Sequence, residues 1–215
     1  MLIWYASDYY RADSEAADYL ENTGIVKVVG IEDGLYFDGA GEDIAIVFYP
    51  GAKVEYTAYA PLMMKLAENG VDCFLLEMPY NMATFGINRA DEVMQEYDYE
   101  YWYISGHSLG GAMAASYAAG NTDKLDGVIL LGAYATKDLG DLAVLSVYGS
   151  DDGVLNMEKV EAGREYSTNY TEVCIEGGCH AWFGLYGEQA GDGTASISRE
   201  EQWQQTVNAV LDMME

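Results

Sequence analysis

Apolar runs of strand length alternate with helical segments along most of this chain. The predicted strands after residue 43 are Ile44–Pro50, Val71–Pro79, Tyr101–Ser105, Gly127–Tyr134, Leu142–Gly149 and Tyr170–Gly178. The predicted helices are Ala58–Gly70, Ile87–Tyr97, Leu109–Ala119, Asn156–Tyr166 and Ser198–Met214. Runs as apolar as "IAIVFYP" are typical of strands that are buried on both faces of a sheet. The alternation predicts an α/β fold with a mostly parallel central sheet and helices on both of its faces.

The segment before residue 44 has a different pattern. Ser14–Asn22 is predicted to be a helix with Ser14 as its N-cap. The strands Ile25–Ile31 and Gly34–Gly39 flank the turn residues "EDG" and predict a hairpin.

The length of the chain sets the number of domains. A chain of 215 residues suits one domain with a substantial core. We predict a single domain, in which residues 1–23 form a helical extension and residues 24–215 form the core. The last helix is marked by Ser198 and Glu201, which have the spacing of a capping box.

The charge of the chain argues against several kinds of partner. Its 36 acidic and 10 basic residues give a formal net charge of −26 at pH 7. Nucleic-acid phosphates and anionic lipid surfaces would both be repelled by such a chain. We therefore expect a small-molecule partner and no nucleic acid.

The sequence shows no membrane-spanning segment. No run approaches the roughly 20 apolar residues that a membrane-spanning helix needs. The first residues, "MLIWYA", are apolar but too short for a signal peptide, so we expect membrane contact only if an N-terminal anchor belongs to this end. The sequence does not distinguish a cytoplasmic from an extracytoplasmic location.

The cysteines and the acidic loop near the C-terminus predict no metal and no cofactor. Cys73 lies in an apolar run and is expected to be a buried thiol. Cys174 and Cys179 are close enough in sequence to touch, but they lack the spacing of zinc ligands. The loop Gly191–Gly193, "GDG", lacks the spaced carboxylates of a calcium loop.

The sequence "GHSLGG" points to nucleophilic chemistry at Ser108. It follows a predicted strand and opens a predicted helix, which is the context that a G-x-S-x-G motif requires. An abrupt strand-to-helix turn forces its central residue to a positive φ, and its neighbours at Gly106 and Gly110 must then lack side chains. The turn would present the serine hydroxyl at a helix N-terminus, beside free backbone N–H groups.

A nucleophilic serine needs a general base and an acid that orients it. The chain has only two histidines, and the side chain of His107, next to Ser108, should point elsewhere, which leaves His180. The strand ending in "VYGSDDG" offers Asp151 and Asp152 as the acid. Asp152 is preferred because it directly precedes a glycine, with Asp151 as the alternative.

An oxyanion hole requires two backbone N–H donors. One is expected from Leu109, the residue after the nucleophile. The other is expected from the loop "PGAKVE", where Ala52 is the donor and Gly51 allows close approach.

These blocks, in this order, resemble serine hydrolases of the α/β-hydrolase fold. The similarity runs from about residue 44 to residue 192 and is greatest to the small, lidless bacterial group related to carboxylesterases and dienelactone hydrolases. The resemblance implies ester hydrolysis through an acyl-enzyme, with Ser108, Asp152 and His180 as the triad. The chain departs from that group at Ala52, where a second glycine is usual, and at Cys179, where asparagine is common.

The connections between the predicted strands bear on the substrate. Only Ala135–Asp141 separate the two strands between which this fold usually inserts a cap, so no cap fits and the site should be open. An open site favours small, short-acyl esters. The predicted substrate pocket consists of Gly51, Lys53, Met82, Phe85, His107, Trp182 and Phe183.

The function predicted from the sequence is therefore that of a carboxylic ester hydrolase. The same triad would also serve a thioesterase, an acyltransferase or a lactone hydrolase. A non-catalytic binding protein on a hydrolase scaffold is the alternative from another class, but such proteins usually lose a member of the triad.

Overall fold

The apolar runs form the middle of one eight-stranded sheet in the computed structural model, which describes residues 8–215. The strands are β1 Lys27–Ile31, β2 Gly34–Asp38, β3 Ile44–Tyr49, β4 Asp72–Leu76, β5 Tyr101–His107, β6 Gly127–Leu131, β7 Ala143–Gly149 and β8 Tyr170–Ile175. Their order across the sheet is β1-β2-β4-β3-β5-β6-β7-β8. The pairs β1–β2 and β2–β4 are antiparallel, and every other pair is parallel. The predicted fold class is confirmed.

Helices cover both faces of this sheet. They are α1 Ala60–Glu68, α2 Arg89–Glu96, α3 Leu109–Ala118, α4 Met157–Gly163 and α5 Arg199–Met214. Residues of α1 and α5 share one apolar core with Ile46 and Phe48 of β3. Residues of α2 and α3 share the other core with Ala45 and Val47 of the same strand. Successive residues of β3 thus point into opposite cores, which is why the whole run is apolar.

The carboxyl ends of the parallel strands lie at one edge of the sheet. The chain leaves β3 at Pro50, β5 at Ser108, β7 at Ser150 and β8 at Glu176, so all four exits face that edge. The connection between β6 and β7, residues 132–142, contains no helix and no strand of the sheet. No separate cap domain is present among residues 8–215.

The N-terminal extension differs from the prediction. Ser14–Leu20 form a 3-10 helix, and Asp13 rather than Ser14 is its N-cap, without a side-chain hydrogen bond. Only Ala16 of this segment is buried, so tertiary packing adds little to stabilise a longer helix. The apolar start "MLIWYA", for which an N-terminal anchor was considered above, lies within residues 1–7 and therefore outside the described residues.

The cysteines are all free thiols. Cys73 is buried, as predicted, and Cys179 is buried too, whereas Cys174 is exposed. The two C-terminal cysteines therefore form no disulfide. Within residues 8–215, none of the helices has the length and apolar character needed to cross a bilayer.

The capping box of α5 generates a stability prediction. The Ser198 hydroxyl accepts a hydrogen bond from the Glu201 N–H at 3.1 Å, and the Glu201 carboxylate accepts one from the Ser198 N–H at 2.8 Å. Ser198→Ala should therefore lower the free energy of unfolding by about 1 kcal/mol, measured by urea denaturation. Ser14→Ala is the matched control, because Ser14 is also exposed but caps nothing, and should change stability by less than about 0.5 kcal/mol. Equal losses in both variants would contradict this assignment.

Candidate active site

Ser108 occupies a strained turn between β5 and α3. Its dihedral angles are φ 53° and ψ −123°, so the positive φ expected for this residue is confirmed. Its N–H donates to the Leu131 carbonyl at 2.9 Å, which ties the turn to the end of β6. A residue with a Cβ is rarely found in this region, and such strain persists only where the surroundings hold it.

The glycines around Ser108 are required by close backbone contacts. A Cβ on Gly106 would lie 2.5 Å from the carbonyl carbon of Gly110. A Cβ on Gly110 would lie 2.2 Å from the Tyr49 carbonyl oxygen at the end of β3. Both distances are far below a normal contact and involve backbone atoms that cannot turn aside. The first turn of α3 can therefore lie against β3 and β5 only with glycine at these positions.

His180 and Asp152 form a buried pair. The His180 Nδ1 atom lies 2.8 Å from Asp152 Oδ2, and the side chains are only 1% and 2% exposed. The other oxygen, Oδ1, accepts hydrogen bonds from the Val154 N–H at 2.9 Å and the Leu155 N–H at 2.8 Å. An ionised carboxylate only accepts, so a neutral imidazole in this pair carries its proton on Nδ1 and its basic lone pair on Nε2. Asp151, the alternative acid, is exposed.

The second ring nitrogen of His180, Nε2, is buried and unpaired within the described range. Ser108 and His180 line one cavity of about 260 Å³. The buried Nε2 atom has no hydrogen-bond partner among residues 8–215, Ser108 included. Hydrogen bonds between catalytic groups are often long in unliganded enzymes and shorten in the complex with substrate.

Gly132 makes room for the imidazole and was not identified from the sequence. It follows β6 with φ 52°. A Cβ there would lie 2.9 Å from His180 Nδ1 and 3.2 Å from Asp152 Oδ2. The only local signal is a glycine directly after the apolar run of a strand, and this signal does not reveal the distant residues that require it.

The two backbone N–H groups predicted to form an oxyanion hole have no acceptor in the described part of the chain. Neither Ala52 nor Leu109 donates its N–H to another residue in the described range 8–215. Leu109 lines the cavity with Ser108, whereas Ala52 is not among its lining residues. The Gly51 N–H donates to the Tyr59 hydroxyl at 3.1 Å and is occupied.

The cavity has other walls than those predicted. Its remaining lining residues are Ala112, Gly132, Ala133, Tyr134, Val154, Leu155 and Asn156. None of the seven residues predicted from the sequence lines it. His107 and Phe183 are fully buried and pack on each other with ring centroids 5.6 Å apart, so the structure does not place them in this cavity.

The other predicted pocket residues have neighbours of their own. Phe85 is 61% exposed and packs edge-on against Tyr80. Trp182 lies beneath the Arg199 guanidinium, whose carbon is 5.5 Å from its ring centroid. Gly51, Lys53 and Met82 are likewise absent from the walls of the cavity.

His107 lies beneath the pair instead of in the pocket. Its ring centroid is 4.4 Å from that of His180, and its Nδ1 atom lies 2.8 Å from the Tyr59 hydroxyl. Burial lowers the pKa of His107 well below its ordinary value, and the neighbouring His180 lowers it further. His107 is therefore neutral and adds no positive charge that would oppose an imidazolium at His180.

The strain at Ser108 generates a prediction. Ser108→Gly removes the Cβ that disfavours this turn, whereas Ser108→Ala keeps it. The glycine variant should be the more stable of the two by about 1 kcal/mol in urea denaturation, after the entropic cost of glycine is subtracted. At Ser116, inside α3, the order should reverse, because glycine there costs about 1 kcal/mol relative to alanine. The same order at both positions would show that the turn at Ser108 is not strained.

Comparisons with known proteins agree with the fold described above. The sequence model described as "Alpha/beta hydrolase family" matches residues 45–204. A CIB-like hydrolase from Thermoplasma acidophilum is similar in structure with 14% identity and a TM-score of 0.64, over 87% of this chain and 97% of that one. A dienelactone hydrolase from Anabaena variabilis has 14% identity and a TM-score of 0.62, over 87% and 96%. A soluble variant of monoglyceride lipase from Saccharomyces cerevisiae has 10% identity and a TM-score of 0.64, over 90% and 96%.

At these identities the structural matches concern the fold alone. A comparison with curated proteins gives no match. The family match is independent of those structures and includes the turn at Ser108 and the paired Asp152 and His180. It extends over most of the sequence, and the chain therefore belongs to the alpha/beta hydrolase family.

Proposed function

We propose that this protein hydrolyses small carboxylic esters with short acyl groups, using Ser108 as nucleophile, His180 as general base and Asp152 as the acid that orients the base. The observation that carries the proposal is the 2.8 Å contact between His180 Nδ1 and Asp152, in a histidine that lines the same cavity as Ser108 and whose Nε2 atom has no partner among the described residues. Family membership supports hydrolase chemistry in general, and the ester substrate is our inference from the site.

The groups around Ser108 suit a two-step reaction. His180 Nε2 takes the hydroxyl proton as Ser108 Oγ attacks the ester carbonyl, and Asp152 stabilises the imidazolium that results. The free N–H groups of Leu109 and Ala52 would stabilise the negative charge on the carbonyl oxygen. His180 then protonates the leaving alcohol, and the acyl group stays on Ser108. Water, activated by the same histidine, releases the carboxylic acid.

The cavity favours small and uncharged substrates. Its volume of about 260 Å³ is below the roughly 300–1,000 Å³ of sites for drug-sized ligands. Val154 and Leu155 give it an apolar wall, and none of its ten described lining residues is acidic. A short acyl chain can be buried there, while a long chain would extend into solvent because no cap covers the site.

The first test is hydrolysis of p-nitrophenyl acetate, butyrate and octanoate by the wild type, Ser108→Ala and His180→Ala. We expect the acetate or butyrate to be preferred, no detectable turnover above background in Ser108→Ala, and a loss of at least about 10³-fold in kcat in His180→Ala, since both the nucleophile and its base are needed. A fluorophosphonate should label the wild type and not Ser108→Ala.

The outcomes of this test separate the alternatives. An adduct that persists in Ser108→Ala would rule out this nucleophile. Labelling of Ser108 without turnover of any p-nitrophenyl ester would direct the search to thioesters and lactones, which the same triad can cleave. A folded protein that is neither labelled nor active would be a binding protein on this scaffold.

The choice between the two aspartates gives a second prediction. Asp152→Asn should lower kcat by about 10⁴-fold, because an amide facing Nδ1 favours the wrong tautomer of His180. Asp151→Asn should stay within about threefold of the wild type, because Asp151 is exposed and does not contact the imidazole. Steady-state kinetics on p-nitrophenyl acetate measure both, and the reverse ranking would assign the acid to Asp151.

A further inference from the structure

We propose that Asp192 is a positioning residue, which holds together the loop that carries Asp152 and the loop that carries His180. The inference rests on the proposed function and adds a residue to it. Asp192 belongs to the "GDG" segment, whose sequence lacks the spaced carboxylates of a calcium loop. In the structure its carboxylate faces backbone N–H groups of both catalytic loops.

The hydrogen bonds of Asp192 connect parts of the chain that are distant in sequence. Oδ1 accepts from the His180 N–H at 3.0 Å, the Gly153 N–H at 3.1 Å and the N–H of neighbouring Gly193 at 2.8 Å. Oδ2 accepts from the Ala181 N–H at 2.7 Å. One carboxylate thus binds the backbone of the base itself and that of the residue directly after the acid.

This arrangement fixes the distance between the two catalytic side chains. The position of the His180 ring follows from its own backbone, and the position of the Asp152 carboxylate follows from the turn that contains Gly153. Hydrogen bonds to an ionised acceptor are stronger than those between neutral groups. A misplacement of about 1 Å between reacting groups can cost about 10²-fold in rate, so a common anchor for both loops matters for catalysis.

The charge state of Asp192 suits this role. Burial raises its pKa, but the hydrogen bonds from Ala181, His180, Gly153 and Gly193 outweigh this effect and hold the pKa below its ordinary value. Because the pKa of Asp192 is lower in the folded protein, its ionised carboxylate stabilises the folded state. This stabilisation is present above the unfolded-state pKa of about 4 and is lost as the pH falls through the folded-state pKa. Asp192 is therefore ionised at every pH at which His180 can act as a base.

Other contacts keep the histidine loop folded when Asp192 is changed. Gln202, which is buried in α5, accepts from the Cys179 N–H at 3.0 Å and donates to the Cys179 carbonyl at 2.8 Å. The loop is thus anchored to α5 just before His180. Cys179 also lies beside Asp192. Burial and the charge of that carboxylate raise the pKa of the Cys179 thiol to about 12. Asp192 variants should therefore fold, with their defect confined to the geometry of the pair.

The primary test compares Asp192→Asn with Asp72→Asn. Asp72 is a matched control, because it is a buried carboxylate that accepts hydrogen bonds from the Gly39 N–H at 2.8 Å and from the hydroxyls of Tyr36 and Tyr99, at the opposite edge of the sheet. Asp192→Asn should lower kcat on p-nitrophenyl acetate by about 10- to 100-fold with KM within about threefold. Asp72→Asn should lower the Tm and leave kcat within about threefold.

A double-variant cycle shows whether Asp192 acts through the histidine. In a His180→Ala background there is no imidazole to position, so adding Asp192→Asn should change the remaining rate by less than about threefold. A merely structural effect would be the same in both backgrounds. A full 10- to 100-fold loss in the His180→Ala background, or a wild-type kcat in Asp192→Asn, would overturn the proposal.

Proton NMR gives a readout that does not depend on the substrate. The Nδ1–H proton that His180 shares with Asp152 should give a downfield signal that is absent in His180→Ala. The signal should weaken or exchange rapidly in Asp192→Asn and persist in Asp72→Asn. If Ser108→Ala keeps its activity, the proposed function fails, and the NMR signal still decides the role of Asp192. A signal unchanged in Asp192→Asn would refute the positioning role even if the triad is correct.

Discussion

The close approach of α3 to the ends of β3 and β5 is the constraint on which the site depends. Gly110 brings the backbone of the first helical turn against the Tyr49 carbonyl, and Gly106 lets the turn close behind Ser108. The resulting positive φ is costly for a serine, but it lifts the hydroxyl above the sheet edge and leaves the Leu109 N–H free. The strain at Ser108 and its position beside the cavity thus have the same cause.

The pair of Asp152 and His180 shows how a buried carboxylate is satisfied by hydrogen bonds. Asp152 is almost fully buried, yet both of its oxygens have donors, and its charge is balanced across Nδ1 only when His180 is protonated. Neutral His107 lies beneath, so the imidazolium formed during reaction meets one carboxylate and no competing positive charge. Gly132 supplies the space that the pair requires. Each of these contacts joins a different strand end, so the site exists only when the parallel sheet is complete.

Local patterns in the sequence predicted the sheet and the turn at Ser108, because strand periodicity and the glycines around Ser108 act over a few residues. These patterns failed where the structure depends on the direction of a side chain or on contacts between residues that are distant in sequence. His107 stands next to the nucleophile, but in β5 it shares a face with Tyr103, below the sheet edge, so it points into the core. Gly132, Asp192 and Gln202 act through residues from about ten to fifty positions away in sequence, and only the folded chain brings them together. Ser14 and Ser198 were both predicted to be N-caps, but only Ser198 is followed three residues later by a glutamate, and only Ser198 caps its helix.

The large negative charge of the protein is consistent with an ester substrate and bears on turnover. The ester proposed above would enter a cavity whose ten described lining residues include no carboxylate, so the charge of −26 would oppose its approach little. Hydrolysis replaces that ester with a carboxylate, which is repelled by the field of the whole molecule. The same surface charge that disfavours nucleic acids and anionic lipids thus promotes release of the acid and opposes its return. On this view the acidity needs no binding partner to explain it, because it would weaken binding of the acid formed by the chemistry proposed for Ser108.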